Sequence, residues 1–150
     1  MILAIDPGPV ESAILCLSDN GVAYAEKLPN SEVRLRLLDR KNLAEYELCI
    51  EMIASYGMPV GKEVFETCVW IGRFWEAWGR DCLLVPRLNI KTHLCHSAKA
   101  KDANVRQALI DRLGVPGTKK NPGPTYGIAG DMWAALALAV YAKDAAEVKA

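Results

Sequence analysis

No run of apolar residues in this chain approaches a membrane span. The longest, residues 132–142, has 11 residues, against about 18 or more for a spanning helix. A secretory leader is not expected, because the N-terminus has no basic flank and Asp6 interrupts the first apolar run. The five cysteines, at 16, 49, 68, 82 and 95, are odd in number and mostly sit in apolar runs. They read as reduced thiols, which places the expectation in the cytoplasm rather than in a disulfide-stapled secreted protein. There is no internal repeat, no low-complexity segment beyond an Ala-rich tail, and no obvious Ser-His or Cys-His arrangement for a nucleophile. The formal net charge is zero, so the whole chain gives no bulk attraction to a polyanion.

What is present is enough for a core. The chain has 150 residues, of which 51% are hydrophobic, which points to one globular domain over 1–150. The charge is unevenly spread. Residues 87–120 hold eight basic residues (Arg87, Lys91, Lys99, Lys101, Arg106, Arg112, Lys119, Lys120) and two acids (Asp102, Asp111), a local charge of +6. The rest has ten basic and sixteen acidic residues, or −6. Such a basic segment is a footprint for a phosphate backbone, although a merely solvated face has the same composition.

The periodicity predicts strands over 1–6, 11–18 and 22–28, the last two joined by a tight turn at Asp19-Asn20-Gly21. A helix follows to about residue 41, with Ser31 as its N-cap. A fourth strand covers 46–52 and a glycine-flanked loop 55–61. A long helix covers 62–79, its stripe at Val64, Cys68, Ile71, Trp75 and Trp78. Phe65, Val69, Trp70 and Phe74 widen its apolar surface enough for a partner subunit as well as a core. A fifth strand is expected at 81–87. Residues 89–100 read as a short helix or a hairpin. Helices over 102–113 and 130–145 flank a polar loop at 117–124, expected to be flexible. Three meandering strands followed by alternating strands and helices make a mixed α/β sheet flanked by helices.

Three acids mark the edges of apolar runs. Asp6 ends the first strand, Glu51 ends Leu48-Cys49-Ile50, and Asp131 opens the last apolar run. A carboxylate at the tip of a buried strand costs desolvation unless a positive charge meets it. If the three converge, they form a divalent-metal site suited to phosphoryl chemistry.

The residues Ile5-Asp6-Pro7-Gly8, Ile50-Glu51, Val85-Pro86 leading through Lys91 to Ala100-Lys101-Asp102, and Gly130-Asp131-Met132-Trp133-Ala134-Ala135-Leu136-Ala137-Leu138-Ala139 occur in that order. With this pattern the chain resembles the ribonuclease H-like nucleases, and within them the RuvC-type Holliday-junction resolvases, especially the small phage-encoded relatives. The resemblance runs over nearly the whole chain. It implies a five-stranded ribonuclease H-like sheet and a homodimeric endonuclease that cuts four-way DNA junctions by paired symmetric nicks. It implies Mg²⁺ or Mn²⁺, two ions per site, with Asp6 bridging them, Glu51 holding one and Asp131 the other. The family's closing helix carries two metal-binding residues three apart. Here the second falls on Ala134, or the first on Ile128, so one ligand of the family's four is absent. The family's wedging aromatic has only Tyr56 as a counterpart, at a different offset after Glu51. A chain short of one ligand is also consistent with a branched-DNA binder that does not cut, and the same fold with a nuclease acting on flaps.

Among the basic residues, Lys101 just before a helix start is the first choice for a catalytic contact to the scissile phosphate. Lys91, Lys99, Arg106, Lys119 and Lys120 are candidates for backbone contacts and Tyr56 for stacking on a base. His93-Leu94-Cys95-His96 is too tightly spaced for structural zinc. The Asp-Pro-Gly strand is also similar to the first strand of actin-like ATPases. The chain is too short for their two lobes and has no second phosphate loop, so no nucleotide cofactor and no membrane partner are expected.

Overall fold

Alternation along the strands decides which way each residue points, and the sheet sorts its residues accordingly. The computed structural model describes all 150 residues. Its elements are β1 (Ile2–Asp6), β2 (Glu11–Ser18), β3 (Gly21–Pro29), α1 (Asn30–Arg40), β4 (Glu47–Met52), α2 (Lys62–Trp78), β5 (Leu83–Pro86), α3 (Arg87–Cys95), α4 (Asp102–Leu113) and α5 (Met132–Lys149). The strands form one sheet in the order β3-β2-β1-β4-β5. The first three are antiparallel neighbours, while β4 lies parallel to β1 and β5 parallel to β4. This is the mixed five-stranded sheet expected from the sequence.

Ile2 and Ala4 of β1, Ala13, Leu15 and Leu17 of β2, Cys49 of β4 and Val85 of β5 face one side, against α5, α3 and α4. Leu3, Ile5, Ile14, Cys16, Leu48 and Ile50 face the other, against Val33 and Leu37 of α1 and Ile71, Phe74 and Trp78 of α2. Helix α5 is almost wholly buried from Ala135 to Val140. Its alanines leave no bulky side chain to hold it off the sheet, which suits the close contact a central helix needs. No helix is long and apolar enough to cross a membrane.

Four details differ from the sequence reading. The first helix starts at Asn30 after Pro29, and no side chain caps it; Ser31 is exposed inside its first turn. The buried stripe of α2 runs through Thr67, Ile71, Phe74 and Trp78. Ile71 and Trp78 belong to both stripes; Phe74 is buried in place of Trp75, and Thr67 loses no hydrogen bond on burial: its hydroxyl donates to Glu63 O at 2.8 Å. Residues 87–95 are helical, the first of the two readings for that stretch, while α5 runs on past the expected end to Lys149. The 117–124 loop is tied down. Gly117 and Pro122 pair as a bridge, Thr118 and Asn121 exchange two backbone hydrogen bonds of 3.1 Å, and Gly123 N–H donates to Pro116 O at 2.7 Å.

Candidate active site

The parallel strands β1, β4 and β5 end along one edge of the sheet, and that edge carries the acids. Ile5 pairs with Ile50, so one residue on, Asp6 and Glu51 stand side by side. Parity sends both to the face covered by α5, as it does Ala4 and Cys49. Asp131 is the residue before α5, at the helix N-terminus, where the helix dipole favours a negative charge. The ends of parallel strands under a helix N-terminus are where open α/β sheets place their ligands.

A ring of hydrogen bonds fixes the turn after Asp6. Gly8 N–H donates to Ser12 Oγ at 3.1 Å, Ser12 Oγ donates to Asn30 Oδ1 at 2.6 Å, and Asn30 Nδ2 donates to Gly8 O at 2.9 Å. Ser12 and Asn30 are buried polar residues whose burial is met by these partners. Gly8 is required by space: a Cβ there would lie 2.4 Å from Glu11 O. The Asp-Pro-Gly motif is therefore a rigid mount for the Asp6 carboxylate.

The acids strain against one another. Burial, then Glu51, push the Asp6 carboxyl up to about 7; Asp131 adds to this, while Arg87 and Lys27 pull the other way. Burial likewise raises Glu51 above the usual carboxylate range, and the Arg87 guanidinium offsets part of the rise. Two cations hold the cluster. Arg87 donates to Glu51 Oε1 at 3.3 Å and to Asp102 Oδ1 at 3.1 Å. Lys27, from β3, donates to Asp131 Oδ2 at 2.7 Å. Sequence reasoning placed Arg87 in the basic segment and passed over Lys27. No local signal marks Lys27, since β3 reaches the site only through sheet order. Arg87 had one signal: it follows β5 with no intervening loop.

With Asp131 drawn to Lys27 and Glu51 to Arg87, no three acids, histidines or cysteines stand close enough together to hold a metal ion. The donor chemistry nonetheless fits a hard divalent cation: three carboxylates at one edge, two of them buried enough to be raised by desolvation. Ala134 and Lys91 share a narrow cleft with Glu51 and Arg87. Ile128 packs in the core. Of the two positions, 134 therefore lies beside the acid edge and 128 does not.

The basic candidates differ in how they are held, and of them Lys91 shares the cleft with Glu51. Lys101 is the N-cap of α4, its backbone N–H donating to Asn104 Oδ1 at 2.9 Å. Lys99 lies in the turn before it and Arg106 in α4, with its guanidinium 4.9 Å from the Trp133 ring centre. Lys91, Lys99, Lys101, Lys119 and Lys120 make no ion pair, whereas Arg112 is committed to Asp144. Lys119 and Lys120 sit at the tip of the tied loop. Tyr56 is exposed in the β4–α2 loop with φ +50°, and nothing bonds it to the acids. His93, in α3, pairs with Asp144 at 2.6 Å and meets the Tyr141 ring edge-on.

Sheet order, helix placement and the acid edge define a ribonuclease H-like α/β fold. More narrowly it is the RuvC-type fold. The structure matches Thermus thermophilus RuvC in complex with a Holliday junction substrate, with TM-score 0.68 and 15% identity over 96% of this chain and 95% of that one. A second Thermus thermophilus RuvC structure matches with TM-score 0.66 and 16% identity over 96% of each chain. No protein-family model and no curated protein sequence matches the chain.

Proposed function

We propose that this chain is a single-domain, metal-dependent endonuclease that resolves four-way DNA junctions as a homodimer. The observation that carries the reading is the edge shared by Asp6 and Glu51 on parallel strand tips, with Asp131 at the start of α5 acting on Asp6. Asp6, Glu51 and Asp131 would hold Mg²⁺ or Mn²⁺. When bound, such an ion activates a water for attack on the phosphodiester and stabilises the leaving 3′ oxygen. The protein's own groups do the rest. The hydrogen-bonded turn at Gly8 keeps Asp6 fixed, Arg87 offsets part of the cost of ionising the buried Glu51, and Lys101 presents a cation and a helix N-terminus to the scissile phosphate. Lys91, Lys99, Arg106, Lys119 and Lys120 track the flanking backbone, and Tyr56 stacks at the junction. The likeness to a junction-bound RuvC supports branched DNA as the partner.

Helix α2 supports the dimer. Phe65, Val69 and Trp75 are exposed on it, an apolar stripe that a monomer leaves in water. Trp70→Glu, beside that stripe, should yield a monomer by light scattering; an unchanged dimer would remove Trp70 from the interface.

Nicking assays on four-way, flap and linear DNA, with and without Mn²⁺, test the activity. Paired nicks confined to the four-way substrate are expected, and cutting of flaps alone would move the substrate within the same fold. Ala134 favours one other reading, a branched-DNA binder that does not cut. A purified protein that shifts junctions yet never nicks them across Mg²⁺ and Mn²⁺ titrations would establish it.

A further inference from the structure

Helices α4 and α5 touch at one end and part at the other. Near the end of α4, Arg112 ties it to Asp144 of α5. At its start the two leave an open cleft of about 480 Å³, walled by Asp102, Ala103, Arg106 and Gln107 of α4 and by Gly130 and Trp133. The spacing of the four α4 residues places them on one face of that helix. The cleft adjoins the three candidate ligands without containing any of them. Gly130 immediately precedes Asp131, and Asp102 accepts from Arg87, which also holds Glu51.

The walls have bonding capacity that the protein does not use. Arg106 makes no ion pair. Its guanidinium rests over the Trp133 ring, 4.9 Å from the ring centre, which leaves its N–H groups unpaired. Trp133 is 8% exposed, and its Nε1–H is buried with no acceptor. A buried indole N–H ordinarily has one. Gln107 is half committed: its Nε2 donates to Asp111 Oδ1 at 2.8 Å, so Oε1 is left as an acceptor. Gly130 puts no side chain into the opening, and a Cβ there would meet nothing within 4 Å.

What fits such a cleft is neutral, planar and polar at its rim. The lining has one acid, Asp102, and one base, Arg106, so a phosphate finds no surplus positive charge in it. A nucleobase offers a π-face to a guanidinium and edge acceptors and donors to an indole N–H and an amide oxygen. A base inside a duplex has its faces and its pairing edge occupied, so the occupant is an unpaired one.

We propose that the cleft between α4 and the start of α5 receives one unpaired nucleobase of the strand whose phosphate lies at the acid edge, held by Arg106. This rests on branched DNA being the partner, and it gives Arg106 a base to hold besides the backbone.

Binding of the purified full chain to four-way junctions, followed by fluorescence anisotropy with no divalent ion added, tests this apart from cleavage. A single abasic nucleotide, which removes the base and keeps the backbone charge, is walked through the positions flanking the exchange point. At one position the wild type should bind about tenfold more weakly than to the intact junction. Arg106→Lys keeps the charge and loses the planar fork. It should bind the intact junction about tenfold more weakly and be indifferent to the same abasic position. Ala103→Leu, which fills the cleft from an exposed helical position, should behave likewise. Both variants should keep the wild-type melting temperature. An abasic penalty that is absent from the wild type, or that persists unchanged in either variant, would overturn the proposal and leave branched-DNA binding intact. Wild-type affinity of Arg106→Lys for the intact junction would do the same. A wild-type chain that binds no four-way junction would overturn the proposal together with the reading of branched DNA as the partner.

Discussion

Two clusters of acids and bases tie this molecule's elements together, one at the sheet edge and one among the helices, and they are tuned in opposite directions. At the sheet edge, Asp6 is surrounded by burial, Glu51 and Asp131, and its carboxyl is pushed up to about 7. Across α5, Asp144 is held by Arg112 at 2.7 and 2.5 Å and by His93 at 2.6 Å. The Arg112 hydrogen bond, helped by His93, takes Asp144 below the usual carboxylate range despite the opposing effect of its burial. The second cluster is satisfied and fastens α3, α4 and α5 together. The first is under-compensated by its own residues, as perturbed carboxyl groups at functional sites often are.

The largest test of this contrast is Asp6→Asn. Junction nicking should fall by at least about 10³-fold while junction binding persists, and the metal-free protein should gain roughly 2–4 kcal/mol at pH 8 because a disfavoured ionisation is removed. Cleavage at the normal rate would dismiss Asp6 as a metal ligand; a lowered melting temperature would dismiss the strain. Asp144→Ala should act the other way, costing about 1–2 kcal/mol by orphaning the Arg112 and His93 donors, with nicking unchanged.

The same contrast predicts opposite pH responses. Asp6 has a folded pKa raised above its unfolded value, so the native state holds the extra proton between the two. Its contribution therefore worsens as pH climbs from about 4 to about 7. Asp144 has a depressed folded pKa, so its stabilisation is present above about 4 and is lost as pH falls through the lower folded value. Melting curves of the metal-free protein should show the first trend vanish in Asp6→Asn and the second in Asp144→Ala. The smallest effect is expected from Lys27→Ala: an unchanged melting temperature, since the pair is exposed, and a several-fold gain in Mn²⁺ affinity because Asp131 no longer has a competing partner. Unchanged affinity would show that Lys27 does not restrain Asp131.

Much of this was legible in the chain. Two-residue alternation along strands set the faces, and hydrophobic runs ending in Asp6 and Glu51 marked the edge, because parity and the end of an apolar run are local properties. What escaped depended on distant segments. Asn30 reads as a helix-start residue, yet its side chain turns back across 22 residues to Gly8. Lys27 gains its role only when β3 and the start of α5 meet. Arg87 was one of eight bases in the basic segment and was given no role of its own, and only the packing of β4 beside β5 shows that it faces Glu51. Residues 87–95 resisted assignment because Ile90 is the single buried residue of that helix, too little for a periodic signal.

The tied loop between α4 and α5 bears on more than local order. A Cβ on Gly123 would come within 1.9 Å of Val115 O, and Thr125, fully buried, donates its hydroxyl to Gly114 O at 2.8 Å. Lys119 and Lys120 therefore stand on a stiff bracket rather than a tether. A polyanion meeting them need not first freeze a wandering segment, so little ordering entropy is lost on contact.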